Sequence, residues 1–213
     1  MIVTIDGPAG SGKSTVARAL ADELGFSFLD TGAMYRAIAL ACLQQKINLQ
    51  ADAEVGQIAR EAAITYQGKT VFLNLQDVTH SIRTPEVTNI ASLVAMNPHV
   101  RSALVEKQRE FGKVDNIVTE GRDQGTIVFP QAEFKFFLTA SAEVRAQRRH
   151  LELLAKGVSI DYEEIYQDQL LRDERDLKRE NSPLKPAADA LLVDTSAFTQ
   201  DEVITRLLAI IRT

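Results

Sequence analysis

A chain of 213 residues, 45% of them hydrophobic, can bury one sizeable core but is short for two full-sized domains, so one domain with insertions is expected. A formal net charge of −5 argues against broad nonspecific nucleic-acid binding, which needs a basic surface to displace counterions; positive charge for any phosphate ligand must therefore be concentrated locally. The single cysteine, Cys42, can form no intramolecular disulfide and fits a reducing compartment, while the apolar run Ile2 to Ile5 is too short for a signal-peptide core and ends at charged Asp6. A cytoplasmic protein without membrane insertion is expected.

In chain order, Ile2 to Ile5 reads as a buried strand, followed by a glycine-rich segment and a helix from about Lys13 to Leu24. Phe26 to Leu29 is a second strand, and Ala33 to Gln45 a second helix with Asp30 or Thr31 available to cap it. From Ile64 to Thr84 the pattern changes: Thr65-Tyr66, Val71-Phe72-Leu73 and Val78-Thr79 are β-prone, and Gln67-Gly68-Lys69 signals a turn, so a small antiparallel insertion is expected. Helical periodicity resumes after Pro85, with Pro98 separating a helix that ends near Met96 from one that runs to Phe111. Asn116 to Thr119, Phe134 to Leu138 and Ala190 to Val193 supply three more core strands, and Asp201 to Ile211 a closing helix. This alternation predicts an α/β fold with a parallel five-stranded sheet flanked by helices.

Gly7-Pro8-Ala9-Gly10-Ser11-Gly12-Lys13-Ser14 matches G-x-x-x-x-G-K-[ST] between the first strand and the first helix, the context its mechanism requires. Its glycines let backbone N–H groups converge on phosphates, and the helix N-terminus adds partial positive charge. Lys13 is expected on the β- and γ-phosphates of ATP, Ser14 as a hydroxyl ligand of Mg²⁺, and Thr15 as a further donor.

A phosphate loop alone does not name the acceptor. Five further segments do so by likeness. They are Asp30-Thr31-Gly32-Ala33-Met34-Tyr35-Arg36; Ile82-Arg83-Thr84-Pro85-Glu86-Val87; Glu120-Gly121-Arg122-Asp123-Gln124-Gly125-Thr126-Ile127-Val128-Phe129-Pro130; Arg172-Asp173-Glu174-Arg175-Asp176; and Pro186-Ala187-Ala188-Asp189-Ala190. In order and spacing these resemble the bacterial cytidylate kinases, the longer form with a β-rich acceptor region.

The resemblance implies a P-loop nucleoside monophosphate kinase fold over residues 1–213, with an acceptor-binding insertion at about 63–95 and a helical lid at about 148–165. It implies transfer of the γ-phosphoryl group of ATP to CMP or dCMP with Mg²⁺, by a monomer with no nucleic-acid or membrane partner. By the same resemblance Ser92, Arg101 and Asp123 read the base, while Thr31, Tyr35, Arg36, Arg83 and Arg122 surround the ribose and α-phosphate. Cytosine offers an amine donor beside two acceptors, so a carboxylate and a cation suit it. Guanidinium forks suit phosphate. Arg148 is assigned to the lid, Arg172 to phosphate contact, and Asp176 with Arg179 to the ribose. Two positions depart from the family: Glu120 stands where Asp is common, and Leu177-Lys178 replaces a more polar pair.

The residues themselves place Arg145, Arg148 and Arg149 on one side of a helix through Ser141 to Leu154, and Gly157 at a plausible hinge. A phosphate acceptor is already anionic, so alignment and charge neutralisation carry the reaction and His80, His99 and His150 need no catalytic role. Alternatives are a P-loop kinase for UMP, shikimate or another metabolite, and a nucleotide-controlled switch. Against the switch, the chain has no Asn/Thr-Lys-x-Asp guanine-recognition motif.

Overall fold

The computed structural model describes residues 1–155, 157–179 and 182–213. In chain order the elements are β1 (Ile2–Asp6), α1 (Lys13–Leu24), β2 (Ser27–Asp30), α2 (Thr31–Gln44), α3 (Asp52–Glu61), β3 (Ile64–Gln67), β4 (Thr70–Leu73), β5 (Gln76–Asp77), α4 (Pro85–Val94) and α5 (Pro98–Val114). They continue with β6 (Ile117–Gly121), one π-helical turn at Gln124–Val128, β7 (Phe134–Thr139), α6 (Ala142–Ala155), α7 (Tyr162–Lys178), β8 (Leu191–Asp194) and α8 (Gln200–Ile211). The chain divides into two compact units, Met1–Leu29 with Val114–Thr213, and Asp30–Lys113.

The first unit is built on a five-stranded sheet in the order β2-β6-β1-β7-β8. β1 is apolar and β-branched at Ile2, Val3 and Ile5, and it runs parallel to β6 on one side and β7 on the other. Such strands are covered on both faces, and here Val3, Ile5, Val118 and Leu138 pack with Val16, Leu20, Val203 and Leu207 of α1 and α8. α1 ends in a Schellman pattern: Gly25, in the left-handed region, and Phe26 donate their N–H groups to Asp22 and Ala21. A capping box, Thr199 with Glu202, starts α8. The register that matters for chemistry is Asp6 opposite Gly121 and opposite Phe137. β1, β6 and β7 therefore finish at the same edge, where α/β sheets bind ligands.

The second unit packs α2 with α3 and α4 beside a three-stranded antiparallel sheet, β3-β4-β5. Asp30 caps α2 by accepting the Ala33 N–H at 2.9 Å, and Thr84 caps α4 with Pro85 in its first turn. The expected insertion at about 63–95 falls inside this unit, whose bounds are wider.

Most elements lie where the sequence indicates, with three differences. α3 is a helix in a stretch the sequence reading leaves unassigned; Gly56 at its centre lowers helix propensity, but a side chain there would come within 2.4 Å of the Cβ of His99. The third strand of the small sheet is Gln76–Asp77, not Val78-Thr79, which follow it and bond to Val71 through the Val78 N–H and the Thr79 hydroxyl. α5 continues to Val114, past Phe111. The expected lid spans Lys156, which lies outside the described residues; around it are α6, Gly157 at φ 74° and the start of α7.

Candidate active site

The loop between β1 and α1 follows the phosphate-cradle pattern closely. Gly7 has φ 152°, and a Cβ there would lie 2.0 Å from the carbonyl oxygen of Leu138, so only glycine lets the chain leave β1 beside β7. α1 begins with no side-chain cap and no acidic residue in its first turn, leaving its N-terminal N–H groups and dipole for an anion. The loop is held from behind: buried Arg145 donates from Nη1 to the Ala9 carbonyl at 3.0 Å, and the Thr195 hydroxyl lies 3.3 Å from the Ser11 carbonyl.

Lys13 is buried, donating from Nζ to the Pro8 carbonyl at 3.0 Å and lying 4.0 Å from Glu120 Oε2. Burial, with Arg122 adding repulsion, brings its ammonium pKa down to about 7, despite the opposing pull of Glu120. Ser14 donates its hydroxyl to Glu120 Oε1 at 2.9 Å. One carboxylate from the end of β6 thus meets both side chains expected to serve the triphosphate and its metal. A hydroxyl and a carboxylate are the hard oxygen donors that Mg²⁺ takes, so these residues fit that ion. Among the described residues no group of three or more His, Cys, Asp or Glu could hold a metal ion.

Beyond Gly121, Arg122 donates from Nε to Asp176 Oδ2 at 2.7 Å, and Arg179 Nη2 reaches Asp176 Oδ1 at 2.5 Å. Burial opposes the charge of Asp176, but the two guanidiniums outweigh it and hold the carboxyl below its usual range. Arg122, Asp176 and Arg179 therefore form one cluster, and Arg172 contributes to the field at both Lys13 and Asp176. Asp123 is buried and heads the π-helical turn, yet its side chain does not cap that turn. The donors at the turn's start, the N–H groups of Gln124 and Gly125, go instead to Asp6 at 2.9 and 2.8 Å.

Arg148 of α6 is committed to Thr195: Nη1 donates to its hydroxyl at 3.0 Å and Nη2 to its carbonyl at 2.6 Å. Its neighbour in the expected basic stripe behaves differently from a solvated face. Arg145 is buried and splits its guanidinium between Ala140, Ala9 and Asp173, the last at 2.6 Å, while Arg149 lies on the surface with Glu152.

In the second unit, Thr31, Tyr35 and Arg36 open α2, and Arg83 pairs with Asp30 at 3.4 Å. Arg101 is buried rather than solvent-facing; it donates to the Ala95 carbonyl at 3.3 Å and places its guanidinium 5.8 Å from the Tyr35 ring centre. Ser92 lies half-buried on α4.

Sequence reasoning passes over Asp6, Asp173 and Thr195. Asp173 stands inside the Arg172–Asp176 segment without a role of its own, and Asp6 left a signal as an acidic residue ending an apolar buried strand directly before the glycine-rich loop, a place where an unpaired charge is costly.

The family model described as cytidylate kinase matches residues 3–213. The chain is 49% identical to the cytidylate kinase of Carboxydothermus hydrogenoformans over 99% of this chain and 97% of that one. It is 46% identical to cytidylate kinase 1 of Haemophilus influenzae over 100% and 94% of the two chains. Among solved structures, an uncharacterized protein from Eubacterium ventriosum superposes with a TM-score of 0.52 at 10% identity, covering 100% of this chain and 99% of that one, a likeness of fold. With a match of this length and identity, the chain belongs to the cytidylate kinase family.

Proposed function

We propose that this chain transfers the γ-phosphoryl group of ATP to CMP, and also to dCMP, giving CDP or dCDP and ADP within pyrimidine nucleotide metabolism. The observation that carries this reading is the register Asp6 opposite Gly121. It brings the phosphate loop after β1 and the Arg122–Asp123 pair after β6 to one edge of one sheet. A donor grip and an acceptor grip that begin at neighbouring strand ends suit direct transfer between two bound nucleotides.

Residues 7–15 are proposed to hold the ATP phosphates, with Lys13 as the cation against the charge that moves to the leaving ADP. Mg²⁺, held by Ser14 with Glu120 as the neighbouring carboxylate, would supply charge neutralisation across the phosphate oxygens. Thr31, Tyr35, Arg36, Arg83 and Arg122 are proposed for the acceptor's phosphate and ribose, and Ser92, Arg101 and Asp123 for its base. Asp176 and Arg179 are proposed for the ribose, and Arg172 for phosphate. The acceptor phosphate is an anion at neutral pH, so no residue needs to act as a strong base toward it. What the protein contributes is alignment, positive charge and exclusion of water that would otherwise accept the phosphoryl group. Arg148 is proposed as a lid cation, its fork now held by Thr195. Buried, unpaired Cys42 is in keeping with a cytoplasmic setting, and a monomer is proposed from the family pattern.

A screen of nucleoside monophosphates with ATP and Mg²⁺, read as ADP formation, tests the proposal. CMP and dCMP are expected to be used fastest, UMP more slowly, and AMP, GMP and shikimate hardly at all. ADP formation indifferent to any added monophosphate would overturn it.

A further inference from the structure

The turn after Asp123 presents an unusual division of labour. An aspartate at the head of a helical turn ordinarily accepts the N–H groups of the turn's first residues, because those donors have no partner within the helix. Asp123 occupies that position, at φ −148°, and its side chain makes no capping bond. Asp6, at the end of β1 and more than a hundred residues earlier, supplies both acceptors: Oδ1 takes the Gln124 N–H at 2.9 Å and Oδ2 takes the Gly125 N–H at 2.8 Å. The carboxylate is buried, 3% exposed, so its two oxygens and two donors form a closed set in which each bond is hard to replace by water.

The rest of the turn is held by other contacts. The Thr119 hydroxyl meets Gln124 Oε1 at 3.0 Å, and Gly125 lies close against Thr4 and Lys135. Asp6 adds the orientation of the two peptide groups directly after Asp123. The phosphate loop that follows Asp6 has separate anchors in Arg145 and Thr195, at Ala9 and Ser11. Disturbing the Asp6 carboxylate should therefore reach the acceptor side of the site more strongly than the ATP side.

We propose that Asp6 is a positioning residue for cytosine recognition: it caps from across the sheet the turn that Asp123 heads, so that the turn's N–H groups do not draw on the Asp123 carboxylate and that carboxylate is oriented toward the base. The inference rests on the reading of Asp123 as a base reader. An Asp6→Asn side chain keeps the size but can accept only through one atom, and its amide hydrogens oppose one of the two N–H groups. The Asp123 carboxylate would then be drawn back to cap its own turn.

The test is steady-state kinetics of Asp6→Asn with CMP, UMP and ATP varied in turn. The kcat/KM for CMP is expected to fall about tenfold or more, that for UMP by clearly less, and the KM for ATP to change by less than about threefold. A purely structural role would lower activity with both acceptors by one factor, and that result, or no change in the CMP/UMP ratio, overturns the inference. Asp123→Ala is measured alongside. If it lowers CMP and UMP use equally, base reading by Asp123 itself fails; if it is selective for CMP and Asp6→Asn is not, the Asp6 inference alone fails. Should Asp6→Asn not fold, amide hydrogen exchange on the unaltered protein decides. By linkage, CMP should slow exchange at Gln124 and Gly125 by about tenfold or more relative to ATP alone, and equal rates overturn the inference.

Discussion

The ammonium of Lys13 lies 4.0 Å from the carboxylate of Glu120, which at the same time accepts the Ser14 hydroxyl at 2.9 Å. Residues adjacent in the phosphate loop thus share one acid that arrives from another strand. The Glu120 side chain spans both contacts.

The burial of Lys13 makes ATP binding proton-linked. Burial, then Arg122, lowers the Lys13 pKa from 10.5 to about 7, whereas bound phosphates favour the ammonium and raise it again. Above pH 7 binding should therefore take up a proton at Lys13, and ATP affinity should weaken with rising pH by up to about tenfold per unit; below pH 7 this uptake fades. Calorimetry in buffers of different ionisation enthalpy reads it, with Lys13→Met as the control lacking uptake from this group. The sign for the unliganded protein is opposite: between about 7 and 10.5 the unfolded chain binds more protons at this lysine than the folded one, so its contribution to stability rises with pH across that window.

Glycines of the phosphate loop should differ in their tolerance. Gly7→Ala puts a methyl 2.0 Å from the Leu138 carbonyl oxygen, main-chain atoms of a central strand, so ATP affinity should fall by about a hundredfold or more as the loop is displaced. Gly12→Ala meets no atom within 4 Å, and its cost is the left-handed backbone alone, about 1–2 kcal/mol. Urea unfolding and the KM for ATP, measured on both variants, separate the two effects.

Arg145 should matter for stability. Its removal leaves the half-buried Asp173 carboxylate without its cation, and the carbonyls of Ala9 and Ala140 without this donor. Arg145→Met is expected to cost about 3–5 kcal/mol in urea unfolding. The double variant Arg145→Met with Asp173→Leu should recover part of that, because it is the orphaned charge, more than the lost pair, that is costly.

Base selectivity should depend on Asp123. Asp123→Ala is expected to lower kcat/KM for CMP by about a hundredfold and for UMP by only a few fold, since UMP lacks the amine that a carboxylate can accept from. Equal losses would remove base reading from this residue.

Much of this protein is legible along the chain because its signals are local. The strand, glycine loop and helix from Ile2 to Leu24 depend on residues a few positions apart, and the fixed offsets of Gly7, Gly12, Lys13 and Ser14 need no tertiary information. The arginine stripe of α6 was legible as spacing but not as environment. Arg145 and Arg149 lie on one helix face by period, yet one is buried against the phosphate loop and the other is on the surface. Arg101 shows the same: helical pattern alone suggests a solvated charge, and packing buries it beside Tyr35.

By itself, then, the order of residues determined the parallel α/β architecture, the phosphate loop and the family. Tertiary structure decided which charges meet: Asp6 with the N–H groups of Gln124 and Gly125, Glu120 with Lys13 and Ser14, Asp176 with Arg122. The reason is physical. Secondary structure and loop shape follow from neighbours in the chain, whereas a buried group's protonation and hydrogen bonding are set by partners that strand register brings from far along it.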